Sequence, residues 1–199
     1  LYCSVIAKGM NIKVCHIEAG LRSGDMSMPE EINRLITDRI SDLLLTPDNI
    51  SSTNLRTEGT PENKIKFVGN IMIDTLEANR EKASSLTLSD IINNDLSHGY
   101  NFRGAIPSDN SYAVMTLHRP SNVDQEKVLE PLIEFLLNEV TSDFTIIWPI
   151  HPRAKKQLKA FGLWERVVGN NSIILLEPVG YREMLRLNMG AKVMLTDSG

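Results

Sequence analysis

His16-Ile17-Glu18-Ala19-Gly20-Leu21-Arg22-Ser23-Gly24-Asp25, continuing through Pro29-Glu30-Glu31-Ile32-Asn33-Arg34, holds strand, loop and helix signals in succession. The apolar pattern from Ile12 to Ile17 reads as a short buried strand. A polar, glycine-bearing loop follows it. Pro29 suits the first turn of a helix, and Glu30 and Glu31 complement the positive end of that helix. Ile32, Leu35, Ile36, Ile40 and Leu43 recur at helical spacing and predict the face turned to the core. Strand followed by helix is the repeating unit of α/β folds, and such folds bind ligands outside the carboxyl ends of their strands.

The unit recurs down the chain. Strands are expected at Leu43 to Thr46, Ile65 to Val68, Tyr112 to Leu117, Phe144 to Ile150, Ser172 to Leu176 and Lys192 to Thr196. Helices are expected between them, including Asp48 to Glu58, stopped by Gly59, and Asp124 to Val140. Ser84 to Asn110 breaks this rhythm with Ser, Asn, Asp and Gly and reads as a linker or excursion. The expected division is therefore residues 1–84 in one Rossmann-like domain, 85–110 between, and 111–199 in a second. Leu1 to Met10 reads as the end of a helix already under way. With no initiator Met, the true N-terminus is expected upstream, and the chain is read as truncated at both ends.

Composition excludes some classes. The 199 residues are 42% apolar and 23% charged, with a net charge of -4. That balance argues against a general nucleic-acid binder. No apolar run approaches the ~20 residues a membrane span needs, and no secretory signal opens the chain. Two cysteines, Cys3 and Cys15, make a disulfide framework improbable and fit a cytoplasmic location. Cys15 lies in the strand pattern and reads as a small core residue. Alternation sends Cys15 and Ile17 one way and His16 and Glu18 the other, and no second ligand cluster appears, so no metal is expected. Neither Gly-x-Gly-x-x-Gly nor a phosphate-loop motif is present, so no dinucleotide cofactor is expected.

The residues after the strands carry the chemistry. Glu18 follows a buried strand and Glu30 opens a helix twelve positions on. Two carboxylates in different environments can divide acid and base work. Arg34, one helical turn after Glu30, is placed to pair with it and lower its pKa; taken alone, such a pair reads as an ordinary surface ion pair. His118 and Arg119 follow another strand and read equally as phosphate-binding groups and as loop-holding ones. Thr196-Asp197-Ser198-Gly199 offers a hydroxyl and a close backbone approach, or simply a β–α turn. His151-Pro152-Arg153 reads rather as the start of a solvated basic helix.

Taken together, His16 to Ser23, Met28 to Arg34, Val68-Gly69-Asn70 with Ile73-Asp74, Thr116-Leu117-His118-Arg119-Pro120 and Thr196-Asp197-Ser198-Gly199 resemble the non-hydrolysing UDP-N-acetylglucosamine 2-epimerases. The resemblance runs over nearly the whole chain. It implies two Rossmann-like domains in a GT-B-like arrangement, a UDP-sugar substrate, no redox cofactor and a homodimer at full length. It implies epimerisation at C2 by elimination and re-addition of UDP, for surface polysaccharide precursors. By motif, Glu18, Glu30 and His118 match catalytic residues, and Arg34, Arg119, Ser198 and Gly199 match substrate-binding ones. Further site residues of the family would lie before Leu1 and after Gly199, so the chain alone is expected to be inactive. Some bacterial members bind a second substrate molecule through a His-x-Asn-Pro pattern; the aligned stretch here is His151-Pro152-Arg153, which departs from it. Alternatives are a diacetamido uronic acid epimerase, a hydrolysing form, a GT-B glycosyltransferase, which would not need the Glu18 and Glu30 pair, and a non-catalytic nucleotide-sugar module.

Overall fold

Every pairing between named strands is parallel in the computed structural model, which describes residues 1–198. The chain divides into two compact units, Leu1–Glu77 and a second beginning at Ala78. Among the described residues no helix is long and apolar enough to cross a membrane.

The first unit holds β1 (Cys15–Ile17), β2 (Leu43–Thr46) and β3 (Ile65–Phe67) in the order β1-β2-β3. Helix α1 (Tyr2–Gly9) precedes the sheet, α2 (Pro29–Ile40) joins β1 to β2, and α3 (Asn49–Thr57) joins β2 to β3. Asp48 caps α3 by accepting the Ser51 N–H at 2.6 Å. Helix α4 (Ile71–Ser84) follows β3. Ala19, Leu44 and Leu55 form a small core with Ile65 against it.

Two expectations fail here, for one physical reason. β1 is shorter than Ile12 to Ile17, and Cys15 is exposed rather than a core residue. Helix α2 buries Glu31, Thr37 and Asp38, while Ile32 and Ile36 of the expected core stripe are exposed. The loop after β1 presents N–H groups that need acceptors once water is excluded. Glu31 and Asp38, seven positions apart on α2, supply them, and His16 turns toward Asp38. Alternation then sends Cys15 and Ile17 to the opposite face.

The second sheet has the order β6-β5-β4-β7, built from β4 (Tyr112–Thr116), β5 (Thr145–Pro149), β6 (Ile173–Leu176) and β7 (Val193–Thr196). Both faces of β4, β5 and β6 are covered, as parallel sheets require, while Met194 of β7 is exposed. Ala113, Met115, Ile146, Trp148, Ile173 and Leu175 share one core; Tyr112, Val114, Ile147, Ile174 and Leu176 share the other. Residues 85–110, expected as a linker or excursion, contain α5 (Leu88–Asp95), whose Leu88, Ile91 and Ile92 enter the second of these cores. The segment is tied further to the sheet by Ser97 N–H donating to Leu175 O and by Glu177, which accepts from Ser97 Oγ and Lys155 Nζ. One helix was expected from Asp124 to Val140. The chain instead forms α6 (Pro120–Val123), α7 (Glu126–Phe135) with Pro131 inside, a π-helical turn Leu136–Val140, and α8 (Thr141–Asp143). The remaining helices are α9 (Pro152–Ala160), α10 (Trp164–Val168) and α11 (Tyr181–Gly190).

Because the strands run third, second, first, fourth in chain order, the topology reverses between β4 and β7. A crevice opens at such a switch point, outside the carboxyl ends of the two strands. His118 lies two residues past β4, and Asp197 directly follows β7.

Gly20 has φ +83, and a Cβ there would collide with the Ser51 carbonyl oxygen of α3. Gly20→Ala should destabilise the first unit by at least about 2 kcal/mol in urea unfolding. Gly24 has φ +75 but open space around it. Its alanine variant should lose only about 1 kcal/mol. Equal losses at both positions would show that the α3 contact does not matter.

Glu31 accepts from Ser23 N–H at 3.0 Å and Gly24 N–H at 3.1 Å, and meets Arg34 Nη1 at 3.2 Å. These donors, chiefly the Ser23 amide, hold its carboxyl at about 2, below the ordinary 4.5. A depressed folded-state pKa stabilises above the unfolded value and is lost as pH falls through the folded one. The melting temperature should therefore drop between about pH 4.5 and about pH 2. Glu31→Gln should lower it at neutral pH and flatten that acid limb; an unchanged limb would remove Glu31 as its source.

Candidate active site

The loop after β1 is held by a buried carboxylate. Asp38 Oδ1 lies 2.6 Å from His16 Nδ1, and Asp38 Oδ2 accepts the Gly20 N–H at 3.1 Å. Arg22 Nη2 reaches the same Oδ2 at 2.8 Å. The Arg22 guanidinium also donates twice to Glu58, at 2.7 Å each. Burial pushes the Asp38 carboxyl upward, but His16, Arg22 and the Gly20 amide outweigh it and hold it below its usual range. Glu58 and then Asp38 raise Arg22 in turn, against the lowering effect of its own burial.

Glu18 sits inside this clamp. It is half-buried, and its backbone has φ +63. A non-glycine residue in that region is uncommon, and such strain gathers at functional sites. The other end of the loop is pinned by Glu31, through Ser23 and Gly24. Beside Glu31, Glu30 is exposed on the first turn of α2. Arg34 pairs with Glu31 rather than with Glu30 as expected. The buried Glu31, one turn before Arg34, is the better partner because its remaining donors already fix it in place.

In the second unit the candidate residues His118, Arg119 and Ser198 lie at the switch point. Thr116 and Thr196 lie side by side in the β4–β7 register, with their hydroxyls 2.9 Å apart. Asp197 Oδ2 accepts the backbone N–H of His118 at 2.9 Å and of Arg119 at 2.7 Å, and the Asn122 side-chain amide at 3.3 Å. His118 Nδ1 lies 3.1 Å from Asp197 Oδ1. Burial again pushes the Asp197 carboxyl up, and the Arg119 and His118 amides hold it below its ordinary value. The Arg119 side chain is exposed. Ser198 is exposed, with its N–H on Thr196 Oγ1 at 3.1 Å. Gly199 lies outside the described residues.

His151 stands near His118, with ring centroids 5.8 Å apart. Its Nδ1 accepts the Arg153 N–H at 3.1 Å, so it caps α9. Arg153 is engaged by Asp124 at 2.6 and 2.8 Å. This agrees with the structural reading of that stretch.

Three residues central to this geometry were not among the sequence candidates: Glu31, Asp38 and Asp197. Glu31 and Asp38 stand seven apart, so an acidic stripe runs along α2 beside the isoleucine stripe. Asp197 stands in the Thr196–Gly199 motif, whose hydroxyl and glycine are the more conspicuous signals in the sequence.

The UDP-N-acetylglucosamine 2-epimerase family model matches residues 1–199. A UDP-N-acetylglucosamine 2-epimerase of Methanocaldococcus jannaschii is 41% identical over 197 residues, covering 98% of this chain and 51% of the relative. A crystal structure of the enzyme from that organism, in complex with UDP-GlcNAc and UDP, superposes with a TM-score of 0.79 at 41% identity, over 98% of this chain and 51% of that one. A UDP-2,3-diacetamido-2,3-dideoxy-D-glucuronate 2-epimerase of Pseudomonas aeruginosa is 33% identical over 199 residues, covering 98% of this chain and 49% of the relative. The chain thus spans about half the length of the curated relatives it matches. On the extent of the family match and on these identities, the chain belongs to the UDP-N-acetylglucosamine 2-epimerase family.

Proposed function

We propose that the full-length protein interconverts UDP-N-acetylglucosamine and UDP-N-acetylmannosamine by elimination and re-addition of UDP, without net hydrolysis. The observation that carries this reading is the clamped loop after β1. It presents Glu18 on a strained, left-handed backbone, while Glu30 follows it at the start of α2. A site for proton transfer at a weakly acidic carbon needs such positioned carboxylates. The names of the similar proteins support the same substrate class.

In this reading a carboxylate of the Glu18 and Glu30 set takes the proton from C2. The C–H electron pair becomes the C1=C2 double bond, and the C1–O bond breaks to release UDP. The product is a 2-acetamidoglucal. UDP then adds back to C1, and a proton reaches the opposite face of C2. Electrons balance within the substrate, so no oxidant or reductant enters. Arg34, beside the carboxylates, and Arg119 and Ser198, at the switch point, are assigned to substrate binding. His118 is assigned to the departing diphosphate, whose growing charge needs preorganised donors. Gly199 is assigned to the same loop by motif. A homodimer, a cytoplasmic location and a role in surface polysaccharide precursor synthesis belong to this proposal. The Pseudomonas relative supports a second reading, with a UDP-linked diacetamido uronic acid as substrate.

Full-length protein incubated with UDP-N-acetylglucosamine in deuterated water should place deuterium at C2 and form UDP-N-acetylmannosamine, both visible by NMR. Exchange confined to the diacetamido uronic acid nucleotide would establish the second reading instead. Free N-acetylmannosamine as the product, or sugar transfer without exchange, would overturn both. Glu18→Gln should slow exchange by at least about 10²-fold and change UDP affinity by less than about threefold. Unaltered turnover would take Glu18 out of the catalytic set.

A further inference from the structure

The carboxylate of Asp197 is buried to 6% exposure, yet its two oxygens are unequally served. Oδ2 receives three N–H groups from the loop after β4. Oδ1 is buried, and no hydrogen bond closes on it among the described residues. His118 Nδ1 stands 3.1 Å away. A buried carboxylate oxygen left without a donor is unfavourable, which favours a proton on the Nδ1 that faces it. The His118 side chain is 42% exposed, so part of the ring is open to solvent. The titratable side chains recorded against the His118 ring among the described residues are Asp197, past β7, and His151, past β5. His151 accepts an N–H at its own Nδ1 and so carries its proton on Nε2.

We propose that Asp197 is a positioning residue that fixes His118 as the Nδ1–H form and turns Nε2 to the switch-point crevice as its exchanging nitrogen. This rests on the proposed function for the identity of what Nε2 meets. Protonated, Nε2 donates to an oxygen of the leaving diphosphate; after that proton is passed on, it accepts one back. The imidazole can do neither productively if its proton sits on the wrong nitrogen, because Nδ1 stands against Asp197 Oδ1. Two neighbouring histidines therefore hold opposite tautomers, each set by the partner of its Nδ1.

Asp197→Asn separates this role from simple loop support. The asparagine Oδ1 can keep accepting the His118, Arg119 and Asn122 N–H groups, while its amide group offers His118 a donor where a carboxylate oxygen stood. The full-length protein, labelled with ¹⁵N at histidine and assigned with His118→Asn, should show the His118 proton on Nδ1 and the His151 proton on Nε2. In Asp197→Asn the His118 proton should move to Nε2, kcat should fall by about 10²-fold or more, and KM should change by less than about threefold. A wild-type His118 protonated on Nε2 alone would overturn the proposal even if the variant failed to fold. So would a variant with unchanged tautomer and kcat. Should the wild-type protein fail to exchange C2 of either nucleotide sugar, the proposed function would fall, and the tautomer measurement would still decide the Asp197–His118 pair.

Discussion

A parallel strand that ends in a ligand-facing loop releases backbone N–H groups into a space from which water is partly excluded, and each must find an acceptor. Buried carboxylates meet that demand in both units of this chain. Asp38 takes the Gly20 amide and the Nδ1 of His16. Asp197 takes the His118 and Arg119 amides and faces the Nδ1 of His118. In each case one aspartate ties the loop to a histidine at the end of the strand. The loops are thereby held in place by the fold itself, which is what precise positioning of side chains needs.

Burying a carboxylate is unfavourable unless donors surround it. Asp38 has His16, Arg22 and the Gly20 amide, and Arg22 is anchored in turn by Glu58. Losing one member of such a set leaves a buried charge without its partner, an effect of about 3–5 kcal/mol. Exposed pairs such as Arg56–Glu62 and Arg166–Glu134 belong to another regime, where solvent screening leaves little net gain. Among the ion pairs compared, the buried set under the loop after β1 thus weighs more than the surface pairs.

Strand–helix alternation and parallel pairing were legible from hydrophobic periodicity, because buried parallel strands read as apolar runs. The strand-end rule then picked out the loops that hold His118, Arg119 and Ser198. The inward face of α2 was not legible. Isoleucines and acidic residues form two stripes of nearly equal period, and hydrophobicity favours the wrong one when loop amides need acceptors. For Cys15 the alternation was readable but the side that faces inward was not. In α5, Leu88, Ile91 and Ile92 have helical spacing, but Ser, Asn and Asp around them masked it. The left-handed backbone of Glu18 has no compositional signal at all, since any residue other than glycine is unexpected there. Asp197 needed the strand order itself, because only the adjacency of β7 and β4 brings it to His118.

That last adjacency spans 79 residues of chain. Contacts so distant in sequence form late, after nearer pairings have reduced the entropy of closing the loop. The anchor of the His118 loop therefore depends on a pairing that no contact close in sequence supplies. Asp197 reaches the loop only through the β4–β7 pairing, so the switch-point crevice is complete only when its sheet is. A sheet without β7 carries the histidine but not the aspartate that faces it.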